Sequence, residues 1–304
     1  MALHDMTPVP AVQYVEPVFR PPSEARSFIL QVTHGCSWNR CTFCEMYTQP
    51  QKRFRLKPQA DIESELAAVA ALEVPVRRIF LADGDAMTLS VRRLLLILKA
   101  IRRHLPGVER ISSYCLPRNL KNKSVSELQQ LRALGLELYY VGCESGDDEV
   151  LEKVCKGETL ASSLEALKKI SDAGAKASVM ILNGMGGQQY SEQHAINSAR
   201  LMNAAQPAYL STLVVSFPGG DARYQAGFGG QFRALDPMGL FREMYTLLAA
   251  LELKQTIFRS DHASNYLVLK GVLDRDRERL LAQLRSAIEQ PGSVALRPEW
   301  ARGL

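Results

Sequence analysis

The sequence predicts an α/β protein whose strands run mostly parallel, arranged either as a partial barrel or as a doubly wound sheet. Short β-prone runs alternate six times with longer stretches that repeat apolar residues at helical spacing. Several of these runs stop on clusters of Gly, Asp or Asn, and the stretches between them are long enough to be helical crossovers, which parallel neighbours require. The chain has 304 residues, more than most single domains, but barrels of the β/α type commonly fill that length as one unit.

Residues 1–22 carry Pro8, Pro10, Pro17, Pro21 and Pro22 and read as an extended arm. The run Phe28-Ile29-Leu30-Gln31-Val32 is the first strand, passing into a loop at Thr33-His34-Gly35-Cys36. Asp61 opens a helix with Ile62, Leu66, Val69 and Leu72 on one face, and the strand Ile79-Phe80-Leu81-Ala82 stops at Asp83-Gly84-Asp85. The rhythm continues with a helix through Val91, Leu94, Leu98 and Ile101, a strand over 111–115, and a helix from Ser124. A strand over 138–142 and a helix through Leu160, Leu164, Leu167 and Ile170 follow. A strand over 177–182 then ends in Asn183-Gly184-Met185-Gly186-Gly187, before a helix over 191–205 and a strand over 209–215. Beyond Pro218 the alternation breaks. Residues 219–230 hold five glycines and read as a mobile loop; a helix through Leu240, Met244, Leu247 and Leu251, an irregular polar segment over 256–269 and a last helix over 274–289 complete the chain. The expected organisation is an arm (1–22), a core (23–218) and a C-terminal part (219–304) that completes the substrate side.

Composition excludes disordered and fibrous classes: 46% of residues are hydrophobic, 23% charged and 7% aromatic. Lys and Arg number 37 against 32 Asp and Glu, a formal charge of +5 too mild and too dispersed for a nucleic-acid footprint. The first residues lack the apolar stretch of a signal peptide and no uncharged run of 18 apolar residues follows, so a cytoplasmic protein without membrane contact is expected. In a reducing compartment, six cysteines serve thiolate chemistry or core packing rather than disulfides.

Cys36, Cys41 and Cys44 stand within nine positions on the loop after the first strand, a spacing that asks for a metal. His34 could complete a Cys3His zinc site. Alternatively, three thiolates could hold an iron–sulfur cluster with one iron left open, which is a catalytic arrangement. Cys115, Cys143 and Cys155 have no ligand spacing and read as core thiols; His104 and His194 read as surface or packing residues.

The stretch Cys36-Ser37-Trp38-Asn39-Arg40-Cys41-Thr42-Phe43-Cys44 resembles the signature of the radical S-adenosylmethionine (radical SAM) superfamily, within the branch that includes elongator-type and methylthiotransferase-type enzymes. That signature spaces its cysteines C-x3-C-x2-C with an aromatic residue before the last, here Phe43; this chain reads C-x4-C-x2-C, one residue longer in the first interval. The resemblance covers residues 28–215 and implies a partial (β/α)6 TIM-like barrel with a C-terminal helical extension. It implies a 4Fe-4S cluster on Cys36, Cys41 and Cys44, and reductive cleavage of S-adenosylmethionine to a 5′-deoxyadenosyl radical that abstracts hydrogen from a substrate. It also implies an electron donor of the flavodoxin or ferredoxin type.

Ala82-Asp83-Gly84-Asp85 falls where the family has its Gly-Gly-Glu motif, which implies that Asp83, Gly84 and Asp85 hold the methionyl ammonium. Gly142-Cys143-Glu144-Ser145-Gly146 is similar to the family's Gly-x-Glu-Ser-Gly, placing Glu144 and Ser145 at the ribose and methionyl carboxylate. Asn183 and Gly184 open the glycine-rich stretch that the family lays against adenine. The segment 258–267 is similar to one in an uncharacterised subgroup and offers Arg259, His262, Asn265 and Tyr266 to a polar or anionic substrate. Lys156-Gly157 reads as a helix C-cap that could also touch cofactor or substrate. No cobalamin-binding, acetyltransferase or RNA-binding appendage is evident, so the expected substrate is a small molecule, with RNA or peptide second. The rival of another class is a non-catalytic zinc or iron–sulfur binding protein.

Overall fold

In the computed structural model, which describes residues 12–303, each of the six strand–helix alternations forms in the predicted order. Pro8 and Pro10 of the arm, and His4, lie outside the described residues. The elements are β1 (Phe28–Gln31), β2 (Thr33–His34), β3 (Arg55–Leu56), α1 (Gln59–Ala70), β4 (Arg78–Ala82), α2 (Val91–His104), β5 (Arg110–Cys115) and α3 (Val125–Ala133). They continue with β6 (Leu136–Glu144), α4 (Asp148–Lys153), α5 (Leu160–Asp172), β7 (Lys176–Asn183), α6 (Gly187–Ala205), β8 (Tyr209–Val214) and α7 (Ala222–Gly227). The last are α8 (Pro237–Ala250), β9 (Ile257–Ser260), β10 (Leu269–Val272) and α9 (Arg277–Glu289).

Local chemistry sets the helix starts. Ser90, Ser124, Asp147, Thr159 and Asp236 each accept a backbone N–H of the first turn, and Ser124 forms a reciprocal capping box with Glu127. Pro237 at the first position of α8 uses the site where a missing N–H costs nothing.

The main sheet has the order β1-β4-β5-β6-β7-β8-β9-β10 and is parallel except for the final β9–β10 pair. Alternate strand residues (Ile79 and Leu81, Ile111, Tyr139 and Val141, Val179 and Ile181, Leu210, Phe258) are buried in one cluster with the apolar faces of the helices. Each large aliphatic side chain so buried contributes about 1.5–3 kcal/mol. One cluster with the helices on one face is the layering of a partial barrel; a doubly wound sheet would cover both faces. The opposite, concave face carries Phe80, Tyr114, Tyr140, Ser178, Met180, Tyr209, Ser211, Leu213 and Arg259, most of them only half-buried. Its lower end is closed by the buried Glu24, which accepts from Arg110 (2.7 Å) and the Tyr140 hydroxyl (2.6 Å).

Two expectations are corrected. The glycine-rich segment after Pro218 is not a mobile loop: Tyr224, Phe228 and Phe232 are buried in a second apolar cluster, and Tyr224 donates to the Met185 carbonyl at 2.5 Å. The segment over 256–269 is not wholly irregular, since β9 and β10 extend the sheet from six strands to eight.

Candidate active site

The three cysteines sit on the loop between β2 and β3, all at intermediate exposure. The β2–β3 hairpin pins the base of that loop, with Thr33 opposite Leu56 and His34 opposite Arg55. Gly35, at φ +69°, makes the turn before Cys36; a Cβ there would lie 1.9 Å from the Lys52 carbonyl oxygen. Within the longer first interval Asn39 adopts a left-handed φ of 41°, a conformation Asn tolerates. Its side chain donates to the Tyr47 carbonyl (2.9 Å), and Trp38 donates to the Cys155 carbonyl (2.8 Å) beneath the Arg118 guanidinium, 3.7 Å from the ring. Thr42 N–H bonds to the Val154 carbonyl (3.0 Å), and Arg223 to the Cys41 carbonyl (3.2 Å), so α4 and the α7 segment hold the loop from two sides.

Burial pushes the Cys41 thiol up to about 12; the Lys156 ammonium opposes that rise, while Cys44, Glu144 and Cys36 add to it. Burial likewise raises Cys36 and Cys44. The thiols therefore sense one another, and a bound metal would reverse the shifts by taking them as thiolates. Among the described residues, no three His, Cys, Asp or Glu side chains gather as ligands of a single metal ion. A cubane places each thiolate on a different iron, so its ligands need not meet at one point. Burial, with the cations Arg55, Lys57 and Lys52, pushes the His34 imidazole down to about 4, and His34 is not gathered with the cysteines around a single ion among the described residues.

The strand ends diverge in role. Asp83 is fully buried and pairs with Lys52; the same carboxylate oxygen accepts from Gln31 (3.3 Å) and Gly35 N–H (3.4 Å). It therefore braces the cysteine loop. Gly84 leaves room for the Tyr47 ring, which a Cβ would approach to 2.3 Å. Asp85 is fully buried with one oxygen accepting from the Ser37 N–H (3.2 Å) and hydroxyl, while its other oxygen, Oδ1, has no partner. Asp83 and Asp85 each keep a buried Oδ1 without a hydrogen-bond partner, and such an oxygen beside the cysteine loop suits a cationic group.

Glu144 ends β6 at a left-handed φ of 65°, beyond a bulge, with its carboxylate folded over Gly142 and paired to Lys156 Nζ at 3.0 Å. Ser145 is fully buried and turned to α6: its hydroxyl contacts His194 Nδ1 (2.7 Å), whose Nε2 contacts the Leu182 carbonyl (3.0 Å). His194 is thus a buried packing residue. Asn183 donates to the Leu240 carbonyl (3.3 Å) and Gly184 N–H to Glu243 (2.5 Å), tying that glycine stretch to α8. Phe43 of the cysteine loop and the concave-face residues Met180 and Leu213 each pack against the second apolar cluster, that of Val150, Val154, Tyr224, Phe228 and Phe232.

The polar segment is divided. Asn265, 3% exposed, donates to the Thr212 carbonyl (2.9 Å), and Tyr266 donates to Glu299 (2.9 Å) under the Arg302 guanidinium. Tyr266 thus closes the C-terminal tail onto the loop, whereas Asn265 ties the loop to β8. His262 accepts the Ser264 N–H on Nδ1 (3.1 Å), which fixes its neutral form with the proton on Nε2; burial and Arg297 keep it in that form. Arg259 lies on the concave face opposite Ser211, 6.0 Å from the Tyr209 ring centre, and makes no ion pair among the described residues. Its neighbour Lys270 is paired to Asp261 at 2.7 Å. Sequence reasoning passed over the concave tyrosines, whose signal was their alternation with buried residues in the same strands. Cys115 and Cys143 are buried as expected, whereas Cys155 is exposed at the end of α4. No helix among the described residues is long and apolar enough to cross a membrane.

The sequence model described as the Radical SAM superfamily matches residues 30–199. A curated relative, the heme chaperone HemW of Bacillus subtilis (strain 168), is 22% identical over 191 residues, covering 62% of this chain and 48% of its own. The chain thus spans about half the length of that relative. Among solved structures, methylornithine synthase (PylB) superposes with a TM-score of 0.50 at 16% identity, over 75% of this chain and 63% of its own. The cobalamin-dependent S-adenosylmethionine radical enzyme OxsB does so with a TM-score of 0.51 at 13% identity, over 91% and 38%. At these identities the superpositions establish the shared fold.

Proposed function

As this chain belongs to the radical SAM superfamily, whose enzymes use a 4Fe-4S cluster and S-adenosylmethionine, we propose that it acts on a small anionic molecule held on the concave face of its sheet. The observation that carries this reading is Arg259, an exposed guanidinium on the concave face without a carboxylate partner among the described residues. When bound, the cluster and S-adenosylmethionine supply a 5′-deoxyadenosyl radical by reductive carbon–sulfur cleavage, with the electron coming from a flavodoxin- or ferredoxin-type donor.

The chain's own residues hold and shield. Cys36, Cys41 and Cys44 would carry the cluster, and Asp85 Oδ1 would accept the methionyl ammonium. Phe43 and Glu144 would flank the cofactor, Gly84 would give the close approach, and Asn183 and Gly184 would form the wall toward α8. Ser145 fixes the turn after Glu144 through His194, and Asp83 fixes the loop through Lys52; neither needs to touch the cofactor to matter. Tyr114, Tyr140 and Tyr209 provide flat walls, and the Tyr224–Phe228–Phe232 cluster excludes water beside the loop. Arg259 would orient the anion, with the His262 Nε2–H as a further donor.

The test is anaerobic reconstitution followed by measurement of 5′-deoxyadenosine with small-molecule extract separated by anion exchange. Stimulation should come from the retained, anionic fraction. Arg259→Gln should raise the amount needed for half-maximal stimulation by about tenfold, the worth of one charge-assisted hydrogen bond. Stimulation by the unretained fraction, or only by bulk transfer RNA with steeply salt-sensitive binding, would overturn the reading.

A further inference from the structure

We infer that Glu243, a buried carboxylate of α8, is a positioning residue for S-adenosylmethionine, because it locks together the turns that follow β6 and β7. This rests on the cofactor reading above and extends it to a residue beyond the matched region 30–199.

The contacts run as one buried chain through three elements. Glu243, 4% exposed, accepts the Gly184 N–H on Oε1 (2.5 Å) and the Ser191 hydroxyl on Oε2 (2.7 Å). Ser191 and His194 are three positions apart on α6 and so share a helix face. His194 Nε2 lies 3.9 Å from the same Glu243 Oε1 and 3.0 Å from the Leu182 carbonyl, and its Nδ1 lies 2.7 Å from the Ser145 hydroxyl. A carbonyl can only accept, so Nε2 carries the proton, and in the neutral ring Nδ1 accepts from Ser145. Ser145 Oγ in turn accepts the Asp147 N–H (2.9 Å). One turn further along α6, the Ser198 hydroxyl accepts the Gly146 N–H (2.9 Å). The turn after β6 is thus held by α6, and α6 and the end of β7 are held by one carboxylate from α8.

Packing alone does not call for a carboxylate at this position. Burial pushes the Glu243 carboxyl up, and His194, the Gly184 N–H and the Ser191 hydroxyl oppose that rise. An apolar side chain would spare the burial cost but leave the Gly184 N–H and the Ser191 hydroxyl without their acceptor inside the protein. Gly184 sits at a left-handed φ of 85°, where a Cβ would lie 2.9 Å from Leu240 Cδ2, so the turn is pressed against α8 as well as bonded to it. Glu144 precedes the first of the two turns, and Asn183 and Gly184 form the second. Fixing both in advance spares the ordering cost that a bound molecule would otherwise bear, which raises affinity without adding a contact.

The experiment is anaerobic equilibrium dialysis of labelled S-adenosylmethionine against the reconstituted full chain without reductant, so that binding is read apart from turnover. Iron content and melting temperature are measured on every variant. Glu243→Ala should weaken binding by about tenfold, the scale of one lost charge-assisted hydrogen bond, with iron content unchanged. Glu243→Gln should recover most of that loss, since its amide oxygen still accepts the Gly184 N–H and its amide nitrogen can donate to Ser191. Leu248→Ala, a truncation of a fully buried side chain in the same helix, should lower the melting temperature and leave the affinity unchanged. If Glu243→Ala does not fold, Glu243→Asp decides in its place, because the shorter side chain keeps the charge but cannot reach Gly184 and Ser191 together. Wild-type affinity in the deciding variant, a Gln variant no better than it, or an equal loss in Leu248→Ala would overturn the proposal. A wild-type chain that loads iron but binds no S-adenosylmethionine would instead overturn the cofactor reading, a distinct result.

Discussion

Replacing any one of Cys36, Cys41 or Cys44 with Ala abolishes the brown colour and cluster iron of an anaerobically reconstituted sample, from about four irons per chain to a small remainder. Formation of 5′-deoxyadenosine falls below detection with it. The remaining cysteines cannot compensate, for structural reasons. Cys115 and Cys143 are fully or nearly fully buried in the core cluster, on the helix side of the sheet. Cys155 is exposed, on the far side of Trp38, whose indole it accepts through its backbone carbonyl. Cys155→Ala should therefore retain iron and serves as the control. Loss of iron in that variant, or retention in any of the three, would show that the ligand set is wrong. Cys→Ala should leave the melting temperature of the metal-free chain nearly unchanged, because these thiols are incompletely buried and lie outside the main core.

Lys52→Met destabilises the chain by about 3–5 kcal/mol, the cost of leaving a buried carboxylate without its partner. Lys52 and Asp83 are both fully buried, and the ammonium also donates to the Val15 carbonyl at 2.6 Å. The pair therefore ties together the N-terminal arm, the base of the cysteine loop and the end of β4. The neutral double variant Lys52→Met with Asp83→Asn should recover much of the loss, since an absent charge needs no partner. Denaturant unfolding of the metal-free protein measures both. Equal stability of the single variant and the wild type would mean that the pair contributes no net structure. The same variants should also load iron poorly, because Gly35 N–H and Lys52 share the Asp83 carboxylate and Gly35 precedes Cys36 directly.

What could be read from the sequence followed from how local each signal is. The strands ending at Ala82 and Asn183 are short, mostly apolar runs with clear stops, and the helices after Ser90, Ser124 and Thr159 carry their caps beside them. The cysteine loop was legible because its ligands lie within nine residues. By contrast, the pairing of Asp83 with Lys52, thirty-one residues away, is announced by no local pattern. The five glycines over 219–230 outweighed Tyr224, Phe228 and Phe232, which pack only because β7 and α4 supply the other side of their cluster. In β9 the alternation of Phe258, Arg259 and Ser260 is too brief to announce a strand before β8 is present to pair with it. Asn265 and Tyr266 were donors by type, but the tail residues Glu299 and Arg302, which close over Tyr266, are more than thirty positions on.

The most direct test of the central claim is the electron paramagnetic resonance spectrum of the anaerobically reconstituted, reduced protein before and after S-adenosylmethionine is added. A cluster held by Cys36, Cys41 and Cys44 with one iron open should give a reduced-cluster signal that changes, saturably, as the amino and carboxylate groups of S-adenosylmethionine occupy that iron. A cluster signal that stays the same at saturating S-adenosylmethionine, or a colourless protein with a single zinc ion, would contradict it.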